Sequence, residues 1–156
     1  MKVYMYKKIL VPMDGSKRAE SILPHVEEIA LNLKSKLLFL YVADPSSDIP
    51  IPHESLSYPG INMELWVKRI DEAEKYLSGL QGEFREKGIS TYIFLEEGNV
   101  VSTIIKVANR EDVDLIAMAS HGRTGLFRVF YGSVAAGVLH QIDRPLLLIR
   151  SLNNGK

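Results

Sequence analysis

A chain of 156 residues with nineteen basic and nineteen acidic side chains has no net charge, so no overall field draws it to nucleic acid or to an anionic membrane. Cysteine is absent, which excludes a disulfide framework, a thiol nucleophile and cysteine-ligated zinc, and which fits a reducing compartment. With 46% hydrophobic and 24% charged residues the composition is that of a soluble globular protein, expected to form a single domain over 1–156 with its core at about 7–150.

The apolar run after Lys8 is too short for a secretory signal, and no stretch approaches the ~20 apolar residues of a membrane span. A cytoplasmic protein is expected. Along the chain, KKILVPM (7–13) reads as a first strand covered on both faces, because its apolar residues are continuous rather than alternating. From Ser16 to Leu33, apolar residues at Ala19, Ile22, Leu23, Val26, Ile29, Ala30 and Leu33 recur with a period near 3.6. This spacing predicts a helix capped by Ser16 and kinked at Pro24. KLLFLYVA (36–43) is the second strand. The stretch 44–60, with four prolines and four serines, reads as a solvated connection.

A second helix runs through Met63, Trp66, Val67, Ile70, Ala73, Leu77, Leu80 and Phe84 and ends at Gly88; Gly79 and Gly82 weaken its last part. STYIFLEE (90–97) follows as a third strand. A third helix uses Val100, Val101, Ile104, Ile105 and Ala108, capped by Asn99. DLIAMAS (114–120) is the fourth strand. The fourth helix starts at Ser133, presents Val134, Val138 and Leu139, and stops before Pro145; PLLLIR (145–150) is the last strand. Such alternation of strand and helix specifies a parallel sheet with helices on both faces and right-handed crossovers.

In open α/β sheets ligands sit beyond the carboxyl ends of the strands. Two features fall there: Pro12-Met13-Asp14-Gly15-Ser16 after the first strand, and the glycine-rich stretch from His121 to Ser133 after the fourth. Free N–H groups at the start of the fourth helix favour an anion. The Ser133 hydroxyl either donates to a phosphate or caps that helix. Asp14 either serves a ribose hydroxyl or metal ion, or forms a turn with Gly15. Neither a P-loop G-x-x-x-x-G-K-[ST] nor a G-x-G-x-x-G after the first strand is present. His25, His53 and His140 show no metal spacing.

The order of elements, VPMDGS after the first strand, DLIAMASHGRTG after the fourth and the distal GSV resemble the universal stress protein family over Lys7 to Arg150. The resemblance implies a three-layer α/β/α sandwich, with a five-stranded parallel sheet of Rossmann-like (adenine nucleotide alpha hydrolase-like) topology, order 3-2-1-4-5. The family's ATP-binding branch carries Gly-x2-Gly-x9-Gly-[Ser/Thr]; Gly122 and Gly132-Ser133 match it, and Ala119 holds the first glycine position. Alanine there is harmless if the backbone has negative φ, and weakens nucleotide binding if φ is positive.

Carried over residue by residue, the resemblance puts Asp14 on the ribose or on metal-associated phosphates, and Val42 on adenine. Pro12 and Met118 close the pocket. Gly122, Gly132, Ser133 and Val134 cradle the phosphates, Arg123 and Arg128 add charge, and His121 lines the ligand without a catalytic role. The expected ligand is ATP with Mg or Mn, and the expected function is a stress-response switch set by ATP occupancy. The alternatives are a slow ATP hydrolase or phosphotransferase, and a family member acting through protein contacts alone. No nucleic-acid or membrane partner is expected. The resemblance also implies that the last strand lies at the sheet edge, where Leu146 to Ile149 would pair two copies as a homodimer. Arg144 and Arg150 would discourage wrong registers, and Leu147→Pro would probe the seam.

Overall fold

The structure, a computed structural model, describes residues 5–45, 61–121 and 132–151. Five strands form one parallel sheet: β1 (Lys8–Met13), β2 (Lys36–Ala43), β3 (Thr91–Glu97), β4 (Leu115–His121) and β5 (Leu146–Ser151), in the order β3-β2-β1-β4-β5. Four α-helices connect and cover them: α1 (Leu23–Leu33), α2 (Ile61–Glu86), α3 (Val100–Arg110) and α4 (Ser133–Gln141). The architecture is the three-layer sandwich, and the strand order is the one the resemblance implies. Every strand lies within one residue of its expected bounds. The stretch 46–60, expected as a solvated connection, lies outside the described residues.

Continuous apolar strands are explained by their two covered faces. In β1, Ile9, Val11 and Met13 join Leu37 and Phe39 of β2 in a core completed by Val26 of α1 and Leu77, Leu80 and Phe84 of α2. The intervening residues, Leu10 of β1 and Leu38, Leu40 and Val42 of β2, meet Ile104 and Val107 of α3 and Ala135 and Val138 of α4. Helices α1 and α2 thus form one layer, and α3 and α4 the other. Phe39 and Phe84 meet edge to face, their ring centroids 5.1 Å apart at 69°.

Two sequence expectations need correction. The segment after β1 is not a helix from Ser16 with a kink at Pro24. A 3-10 turn spans Ala19–Ile22, and α1 begins only at Leu23, with Pro24 in its first turn. There the missing proline N–H is one that a helix leaves unpaired anyway. Ser16 Oγ still accepts the Ala19 N–H at 3.2 Å, so the hydroxyl caps the short turn instead.

Arg144, expected to guard the sheet edge, is turned inward. Its Nη1 donates to the Ala108 carbonyl at 2.8 Å and to the Val113 carbonyl at 3.0 Å. It thereby satisfies carbonyls at and just beyond the C-terminus of α3, where a cation is favoured. Asn99 caps α3 as expected, its Oδ1 accepting the Ser102 N–H at 3.1 Å.

Candidate functional site

A crevice forms where neighbouring strands part. Parallel pairing of β1 with β2 runs over six residues, from Lys8–Lys36 to Met13–Tyr41. Pairing of β1 with β4 extends only over Ile9–Leu115 and Leu10–Ile116. Beyond Leu10 the two strands diverge. Helices that follow β1 and β4 also lie on opposite faces of the sheet, so no crossover covers the opening.

A cavity of about 480 Å³ lies there, lined by Pro12, Met13, Asp14, Ala19, Leu40, Tyr41, Val42, Arg69, Val100, Ile104, Met118, Ala119, Gly132, Val134 and Ala135. Its size falls within the range of small-ligand pockets. The wall on the α3–α4 side is apolar, built from Leu40, Val42, Ile104, Met118 and Ala135. Such a surface accepts a flat, weakly polar ring system.

Asp14 stands at the tip of β1. Its Oδ1 accepts the Ser16 N–H at 2.8 Å, and Gly15 between them has φ +80°, a left-handed conformation suited to glycine. The turn-forming role of Asp14 and its place on the cavity wall therefore coexist: the turn fixes the carboxylate at the mouth. A single lining carboxylate suits a divalent ion brought in by phosphates, since such ions keep most of their other ligands from water and substrate. Among the described residues no cluster of three His, Asp or Glu side chains forms a protein-only metal site.

Gly132 is the N-cap of α4 and lines the cavity, and among the described residues no side chain caps that terminus. The helix N-terminus therefore opens onto the crevice, where backbone N–H groups and the helix dipole favour an anion. Ser133 is the first helical residue; it is exposed and lies outside the cavity lining, and it does not act as the cap. Val134 lines the cavity.

Ala119 sits inside β4, paired in register with Ile149 of β5, and is not among the residues with positive φ. The strand conformation accommodates its methyl group, so the alanine carries no backbone penalty. His121 ends β4. Gly122, Arg123 and Arg128 lie outside the described residues.

Of the expected residues, the crevice brings together Pro12, Asp14, Val42, Met118, Ala119, Gly132 and Val134. Sequence reasoning missed Met13, Ala19, Leu40, Tyr41, Arg69, Val100, Ile104 and Ala135. For Val100 and Ile104 a signal existed: they lie in the first turns of α3, the N-terminal end that follows β3's carboxyl end. For Arg69 there was none, because its approach depends on the packing of a long helix.

The universal stress protein family profile matches residues 5–150. The chain is 31% identical over 159 residues to the universal stress protein MJ0577 of Methanocaldococcus jannaschii, covering 96% of this chain and 98% of that one. It is 29% identical over 147 residues to MJ0531 of the same organism, covering 94% and 83% of the two chains. The solved structure of MJ0577 matches with a TM-score of 0.80 at 29% identity, over 96% of this chain and 99% of the other. The chain belongs to the universal stress protein family.

Proposed function

We propose that the crevice binds ATP with a divalent cation, and that occupancy sets the conformation or partner choice of the protein. The observation that carries this reading is one cavity with three chemically distinct parts. An apolar wall at Leu40, Val42 and Met118 receives the adenine, Asp14 faces the ribose and the ion, and the α4 N-terminus at Gly132 receives phosphate. Match of Gly122 and Gly132-Ser133 to the motif of the family's ATP-binding branch supports the same assignment. A ligand switches a protein only by binding one state better than another, so the expected output is a population shift.

Magnesium or manganese fits the donor set: phosphate oxygens, water and the Asp14 carboxylate. The ion would screen the charge of the phosphates beside Asp14. The chain's own residues hold the base, orient the ribose and supply N–H donors.

Gly132→Val places a branched side chain on the cavity wall. It is expected to abolish ATP binding in calorimetric titration while circular dichroism remains that of the parent. Parental affinity in Gly132→Val would mean that the phosphates lie elsewhere. Protein purified without added nucleotide is expected to release ATP on denaturation. Conversion of that ATP to ADP during incubation with magnesium would favour the hydrolase reading instead.

A further inference from the structure

Asp14 and Arg69 are the charged side chains among the described residues of the cavity wall. Arg69 comes from α2, on the layer opposite the α4 terminus. Helix α2 packs on β2 and β3, whereas α4 packs on α3 and β4. The cavity therefore has two unlike ends. One, at β4 and α4, presents helix N–H groups; the other, on the α2 side of β2, presents Tyr41 and the Arg69 guanidinium. Trp66, one turn earlier on α2, lies behind the guanidinium, whose carbon is 5.9 Å from the ring centroid. Both side chains are half-buried. The ring quadrupole attracts the guanidinium, whose plane can also stack on a second flat group.

We propose that Arg69 is a binding residue for the nucleoside half of the ligand, packing its guanidinium on the base and ribose rather than on the phosphates. The proposal rests on the nucleotide reading above and adds to it a contact from α2. Its chemistry follows from placement: the phosphates are drawn to the α4 terminus, while Arg69 reaches the cavity from the α2 layer, across from the apolar wall of Leu40, Val42 and Met118. Removing it therefore lowers affinity by the same factor whatever the length of the phosphate chain.

Calorimetric titration of AMP, ADP and ATP, each with magnesium, into the parent, Arg69→Met and Arg69→Lys tests this, with circular dichroism confirming the fold. Arg69→Met is expected to weaken all three ligands by about tenfold, leaving their affinity ratios unchanged. Arg69→Lys restores little of that loss, because an ammonium lacks the planar face. Trp66, the single tryptophan, reports the contact: nucleotide changes its emission in the parent and not in Arg69→Met. Parental affinity in Arg69→Met, or a loss confined to ATP, would overturn the proposal. A folded parent that binds none of the three nucleotides would instead overturn the reading on which it rests.

Discussion

Tyr76 shows how single side chains on α2 tie that helix to the site. Its hydroxyl donates to Glu20 Oε1 at 3.0 Å, linking α2 to the turn that follows Asp14. Burial first, then the hydrogen bond to Glu20 and the negative charges of Glu20 and Asp14, raise the hydroxyl well above the ordinary tyrosine value. The folded state thus holds this proton more tightly than the unfolded chain. The contribution to stability is fully present below the ordinary tyrosine pKa of about 10 and is lost as pH rises beyond it. In urea titrations between pH 9 and 11, the parent is expected to lose stability more steeply than Tyr76→Phe. Equal slopes would show that the tyrosine does not govern the alkaline limb. Asp14 could be read from its place just beyond the carboxyl end of β1, where open sheets bind ligands, whereas Val42 and Met118 read as ordinary core without the family resemblance. Neither Arg69 nor the Tyr76–Glu20 pair was legible. Glu20 and Tyr76 are 56 residues apart, and only tertiary packing decides which turn of α2 faces which loop.

Among the elements, the strands were the easiest to read, since a run such as Leu37–Leu40 has no other use than burial on both faces. The start of α1 was misread because apolar spacing continues unbroken through a 3-10 turn, so periodicity could not show where one helical form gives way to the other. Glycines in helices divide according to what surrounds them. A Cβ on Gly137 of α4 would lie 2.7 Å from Val101 Cγ2 of α3, and valine is stiff about χ1. The Gly137→Ala penalty from overpacking exceeds its gain in helix propensity, giving a net loss of about 1 kcal/mol. On α2, Gly79 and Gly82 have open space around the corresponding position. There the same substitution is expected to add about 0.5–1 kcal/mol each. Urea midpoints at unchanged slope measure all three. A stabilised Gly137→Ala would show that α3 and α4 have room to separate.

On the scale of the whole molecule, β3 and β5 are the two edges of the sheet. Beside β3, Arg110 pairs with Glu96 at 2.8 Å and sits 5.5 Å from the Phe94 ring centroid, which places charge along that side. The β5 edge is LLLIRS, and pairing of two copies across it remains our reading of how the protein assembles. Strand geometry corrects the choice of probe. The Pro145 carbonyl accepts from Ile116, and the Ile149 carbonyl from the Ser120 hydroxyl. Alternation then turns the Leu147 backbone toward β4 and the Leu148 backbone outward. Leu148→Pro, rather than Leu147→Pro, removes a donor at the seam. Light scattering at micromolar concentration is expected to give a dimer for the parent and a monomer for Leu148→Pro; a monomeric parent would reject the assembly. The brief pairing of β1 with β4 has a meaning for stability as well. Ladder pairing between the three-stranded and two-stranded parts of the sheet ends at Leu10 and Ile116, and the cavity occupies the gap that opens beyond it. Any molecule gripping Val42 and Asp14 on one side and Met118 and Gly132 on the other acts as a rivet across the gap. Such a ligand would stabilise the folded state in which both sides of the gap are held in place, by mass action, so thermal unfolding is expected to shift upward with ligand concentration.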